Sequence, residues 1–116
     1  MNMTLDEIYL NIAQGITNAI EHNSWTQARL DIEVVANGVV GYTGVYHTDS
    51  TTVDLPVRKI PRDIRNWLRE LHSITTKGGN NRWNRAVFSL TPDGNFDMEF
   101  IWDQGLQDEI ERLAKS

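Results

Sequence analysis

The sequence predicts an α+β fold: an antiparallel sheet of four to five strands built from two hairpins, with three helices, in the order α-ββ(β)-α-ββ-α, packed mainly on one face. Three observations carry this expectation. Apolar residues recur at helical spacing in three separate segments. Between those segments the period changes to two. Each alternating pair is joined by a tight-turn signal, Asn37-Gly38 or Thr91-Pro92-Asp93-Gly94. Connections that short impose antiparallel pairing, because parallel strands need long crossovers.

The first helix is expected from about Thr4 to Glu21. Thr4 and Glu7 have the capping-box spacing, in which each side chain satisfies the other's backbone amide. Leu5, Ile8, Ile12, Ile16, Ala19 and Ile20 form one apolar stripe. Gly15 lies inside the stripe and lowers helix propensity by about 1 kcal/mol, which points to close packing against a neighbour. From Trp25 to Val35, Ala28, Leu30, Ile32 and Val34 face one way, and Arg29, Asp31 and Glu33 the other. Val39 to His47 returns as the second strand, where Gly41 and Gly44 indicate a bulge or a close backbone approach. A short third strand is expected over Thr51 to Leu55.

Pro61 is placed to open the second helix, where its missing amide costs nothing. Ile64, Trp67, Leu68, Leu71 and Ile74 form the buried stripe. Lys77 and Gly78-Gly79 close the helix. Trp83 to Thr91 alternates again, with Ala86, Phe88 and Leu90 on one side. After the turn, Phe96, Met98, Phe100 and Trp102 face one way, and Asp97 and Glu99 the other. Asp103 caps a final helix through Leu106, Ile110 and Leu113. No repeat, low-complexity tract or linker divides the 116 residues, so residues 1–116 read as one domain.

Composition narrows the function. Without cysteine there are no disulfides or thiolate metal sites, which favours the cytoplasm. The first residues are acidic and amphipathic, unlike a secretory signal. No apolar run reaches the roughly 18 residues of a membrane-spanning helix. Eleven basic against 16 acidic residues give a net charge of −5, which argues against nucleic acid and anionic lipid as partners and for a basic protein.

No reaction centre emerges. His22, His47 and His72 lack metal-ligand spacing. There is no nucleophile elbow. Gly78-Gly79-Asn80-Asn81 lacks the frame of a phosphate loop and reads as a helix cap. Neither a catalytic residue nor a cofactor or metal is expected. The pairs Asp31/Glu33 and Asp97/Glu99 could do acid–base work only in a closed pocket; on an open sheet face they read as solvated charge. Of the four tryptophans, Trp67 and Trp102 sit in apolar stripes and are assigned to the core. Trp83 falls between Arg82 and Arg85, where it is either a binding anchor, a cover for a sheet edge, or a stacking partner of Arg82.

Nearly the whole chain resembles the YezG-like immunity and antitoxin family. The resemblance runs from Ile12-Ala13-Gln14 and Trp25 through the strand Leu30-Asp31-Ile32-Glu33-Val34 and the Leu55-Pro56 step. It is most specific in Phe88-Ser89-Leu90-Thr91-Pro92-Asp93-Gly94-Asn95-Phe96, ending in Phe100-Ile101-Trp102-Asp103. Phe88, Gly94, Phe96, Phe100 and Trp102 carry over as structural positions only. The resemblance implies an immunity protein that binds and neutralises a cognate bacterial toxin, often a nuclease domain delivered between bacteria as in contact-dependent growth inhibition, by occluding its active site or substrate path. Toxin contacts vary between pairs in such families, so the candidate partner-binding residues rest on charge. They are Asp31, Glu33, Asp97 and Glu99 on the open sheet face, Asp49 and Asp54 in the loop before the second helix, and Trp83. Two other readings stay open. One is a small acidic adaptor or secretion chaperone, which would expose an apolar groove. The other is a small hydrolase or isomerase using the carboxylate pairs.

Overall fold

A computed structural model of the chain describes residues 3–21, 24–35, 39–77 and 82–115. The expected Asn37-Gly38 turn, the Gly78-Gly79-Asn80-Asn81 segment and His22 lie outside these residues. The chain forms α1 (Leu5–Ala19), β1 (Trp25–Val35), β2 (Val39–Thr48), β3 (Thr52–Asp54), a 3-10 turn (Val57–Lys59), α2 (Ile64–Thr76), β4 (Arg85–Leu90), β5 (Phe96–Ile101) and α3 (Gln104–Ala114). This is the α+β order expected, with β3 as the fifth strand.

Thr4 and Glu7 form the capping box at the start of α1. Such a cap is worth about 1 kcal/mol. Ile8, Ile12 and Ile16 are each fully buried, and each contributes roughly 1.5–3 kcal/mol of apolar burial. Packing therefore holds α1 in place more than its cap does. Gly15 is the contact point with the chain entering α2: a Cβ there would sit 3.1 Å from Ile60 Cγ2 and 3.7 Å from Pro61 Cδ. The close approach anticipated at Gly15 is thus present.

The five strands pair antiparallel throughout, in the order β3-β2-β1-β4-β5. Their alternation separates two faces. Ala28, Leu30, Ile32, Val34, Val40, Tyr46, Ala86, Phe88 and Leu90 turn inward and join Ile8, Ile12, Ile16, Ile64, Leu68 and Leu71 of α1 and α2 in one core. The two helices so cover one side of the sheet. Gly44 lets this layer close, since a Cβ there would lie 2.6 Å from the Arg29 carbonyl oxygen and 2.8 Å from Leu55 Cδ2. The bulge itself falls elsewhere, in β1 between Trp25 and Gln27. Gly94 takes φ +89 in the second hairpin turn, where its amide donates to the Thr91 carbonyl at 3.0 Å.

Three expectations need correction. Pro61 does not begin α2; its carbonyl accepts from the Ile64 amide at 3.0 Å in a turn that precedes the helix. α3 adds no buried residue, and Leu113 at its end is 59% exposed. Leu106 and Ile110 of its stripe are half-buried. Trp102 is also outside the core: Arg82 lies 4.0 Å above its ring and its indole donates to Gln104 Oε1 at 3.0 Å.

Candidate protein-binding face

Beyond the bulge, the register places Gln27, Arg29, Asp31 and Glu33 of β1 on the uncovered side of the sheet and aligns the last three with their neighbours in rows. Asp54 pairs with Val45, Val45 with Arg29, Arg29 with Ser89, and Ser89 with Asp97. One row along, Thr43, Asp31, Val87 and Glu99 align. The next holds Gly41, Glu33, Arg85 and Ile101. Facing partners in an antiparallel sheet share a face. Five of the candidate residues therefore come together: Asp31, Glu33, Asp54, Asp97 and Glu99. Asp54, assigned from sequence to a separate loop patch, belongs to the same face because β3 adds a row to it. Asp49 is exposed in the turn between β2 and β3, outside the rows.

Two arginines interleave with these carboxylates. Arg29 Nε and Nη2 both donate to Asp31 Oδ1, at 3.0 and 2.8 Å. Arg85 Nη1 lies 3.6 Å from Glu33 Oε1, and its Nε donates to Asp103 Oδ2 at 2.7 Å. Asp54, Asp97 and Glu99 form no ion pair among the described residues. The centre of the face is therefore a paired lattice, and the uncompensated negative charge lies toward both edges. Charged side chains along β5 also guard an edge strand against unintended pairing.

Gly41 opens the face beside Glu33. A shallow hollow of about 340 Å³ lies there, lined by Asp31, Glu33, Gly41, Thr43 and Arg85 among others. Nothing in this arrangement encloses a carboxylate pair, so it suits contact with a surface better than capture of a substrate. Among the described residues no three His, Asp or Glu side chains converge to hold a metal ion.

Asp103 ties α3 to the face. Its carboxyl accepts from Arg85 and, at 3.1 Å, from the Leu106 amide as the helix N-cap. The hydrogen bond from Arg85, with that from Leu106 second, holds this carboxyl below its usual value of 3.8. The same bond raises the Arg85 guanidinium.

Trp83 is not on this face. It is 1% exposed, so the anchor reading is corrected. Its ring packs edge-on to His72 with centroids 4.7 Å apart and against Phe100 at 5.0 Å. Its indole N–H donates to the Thr75 hydroxyl at 2.8 Å. His72 Nε2 lies 3.0 Å from the Trp83 carbonyl oxygen, which can only accept, so the ring carries a proton at Nε2. Two arginines beside an indole in sequence do not expose it when His72 and Thr75 of α2 cover it.

The residue that sequence reasoning missed is Asn84, which is 3% exposed. Its amide accepts from the Asp103 backbone N–H and donates to the Asp103 carbonyl, both at 2.8 Å. Its own backbone bonds Val34 and Ile101. It joins β1, β5 and the start of α3. The alternation could have found it: Asn84 shares the parity of Ala86, Phe88 and Leu90 and so falls on the inward side of the strand expected from Trp83.

No protein-family model matches the chain, and no curated protein matches it significantly.

Proposed function

We propose that this chain is an immunity protein that binds a basic partner, a bacterial toxin domain of nuclease type, and blocks its active site or substrate path from the cytoplasm. The observation that carries the reading is the open sheet face. Asp54, Asp97 and Glu99 flank Arg29–Asp31 and Arg85–Glu33 pairs on the side of the sheet away from the core that α1 and α2 form with it. A nuclease presents cations where it holds phosphate, and unpaired carboxylates steer association with such a surface. The paired centre is pre-ordered, which lowers the entropy lost on docking. The large exposed apolar side chains, Leu10, Val39, Phe96 and Leu113, fall one on each of four elements, which supports this reading over a groove-bearing adaptor.

The test is co-expression with the toxin-like product of the neighbouring gene, scoring survival and co-purification. Survival with a 1:1 complex is expected. If charge reversal at Asp54, Asp97 and Glu99 left both association rate and its salt dependence unchanged, the face would not be the contact surface.

A further inference from the structure

Although the protein is acidic overall, three of its arginines line one hollow on the helix-bearing side of β2. Arg58, Arg62 and Arg65 surround a space of about 350 Å³ together with Tyr42, Val57 and Ile60. All three are exposed, and none has an ion-pair partner among the described residues. Lys59, in the same segment, is paired with Glu21 and does not line the hollow. Like charges that share a hollow without a counter-charge repel one another.

The start of α2 sharpens the imbalance. A helix N-terminus carries partial positive charge and favours acidic residues in its first turn. Here the first turn holds no acidic residue, while Arg65 lies within it and Arg62 just ahead of the N-cap. Asp63, at the N-cap position, makes no side-chain capping bond and does not line the hollow. Guanidiniums and helix dipole thus add to the same positive field. Val57 and Ile60 supply apolar wall, which limits water on that side and strengthens any ion pair formed there.

We infer that the Arg58–Arg62–Arg65 hollow is a binding site for a small phosphate-bearing ligand of diphosphate type. A single carboxylate would leave most of the charge of three guanidiniums unmatched. A diphosphate carries comparable opposite charge, and its oxygens suit the planar donor fork of arginine. The hollow is of a size for a small molecule and lies on the opposite side of the sheet from the acidic face. The inference is independent of the toxin-binding proposal.

The test is a titration of the full chain with inorganic pyrophosphate at constant ionic strength, followed by backbone amide NMR signals. Saturable, single-site shifts at Tyr42 and across residues 57–60 and 62–65 are expected. Arg58→Ala, Arg62→Ala and Arg65→Ala should each weaken binding at least about tenfold, while Arg29→Ala, on the opposite face, should not. All four positions are exposed, so the variants keep the fold, which the same spectra verify. ADP in a second arm identifies the source: tighter binding than pyrophosphate points to a nucleoside diphosphate, and equal binding leaves the diphosphate group as the determinant. Unsaturating shifts, equal weakening by Arg29→Ala, or equally tight binding of citrate would each overturn the assignment.

Discussion

The acidic face and the arginine hollow lie on opposite sides of β2, one residue apart. Gly41 and Thr43 border the first and Tyr42 also lines the second. On the sheet face, charge is arranged by strand register. Arg29 meets Asp31, Arg85 meets Glu33 and Asp103, and Asp54, Asp97 and Glu99 have no ion-pair partner among the described residues. In the hollow, charges of one sign gather from a turn and a helix start with no partner among the described residues. Exposed charge is thus of two kinds here. Paired charge fixes geometry and contributes little net field. Unpaired charge supplies the field and is free to meet a ligand.

The largest effect expected is from Asp54→Lys, Asp97→Lys and Glu99→Lys together: association with the basic partner should slow about a hundredfold at low salt, measured by stopped flow, with thermal stability unchanged. Arginine-to-alanine changes in the hollow should leave that rate alone. Equal slowing from both sets would mean that only net charge matters and that the two regions are not distinct.

The two glycines of β2 come next. Gly44→Ala forces a Cβ to 2.6 Å from the Arg29 carbonyl and should destabilise the fold by about 1–3 kcal/mol in denaturant unfolding. Gly41→Ala meets nothing nearer than Glu33 Cβ at 4.0 Å and should shift stability by no more than about 0.5 kcal/mol. It does narrow the hollow beside Glu33, so a loss of partner affinity without loss of stability would place the contact there.

Acid should loosen the tie between face and α3. The folded Asp103 carboxyl lies below 3.8, so the bonds from Arg85 and Leu106 stabilise the fold above that value. Their contribution is lost as pH falls from 3.8 through the lowered value, where the folded state must take up the proton. Glu21 and Asp93 are lowered too, by Lys59 and by the Thr91 hydroxyl, so acid sensitivity is shared. Asp103→Asn should therefore reduce, without removing, the fall of the unfolding midpoint between neutral pH and pH about 3. The smallest effect is expected for Arg29 and Asp31, whose side chains are 52% and 43% exposed: a double-mutant cycle should give a coupling below about 1 kcal/mol.

Much of this was legible in advance because it is local. The capping box of Thr4 and Glu7, the alternation of Ala28 through Val34, the glycine of the Thr91–Gly94 turn and the Asp103 cap each depend on residues within a few positions of one another. Periodicity also sorted Asp31, Glu33, Asp97 and Glu99 onto one face, since side chains alternate along any strand.

What only the tertiary structure decided depends on which strands meet. Nothing local places β1 at the centre beside β4, and that pairing is what sets Arg85 against Glu33 and brings Asp54 into the row of Arg29 and Asp97. Trp83 lies under α2 and Trp102 outside the core because burial is set by neighbouring elements, not by flanking residues. Asn84 is tied to Val34, Ile101 and Asp103 on other elements, whereas the hollow's arginines fall within residues 58–65 and only Tyr42 joins them from elsewhere in the chain. The sequence by itself determined the elements, their polarity and the charge they carry. The tertiary structure decided which charges are neutralised and which remain to act, because Coulomb and hydrogen-bond energies depend on distance in space.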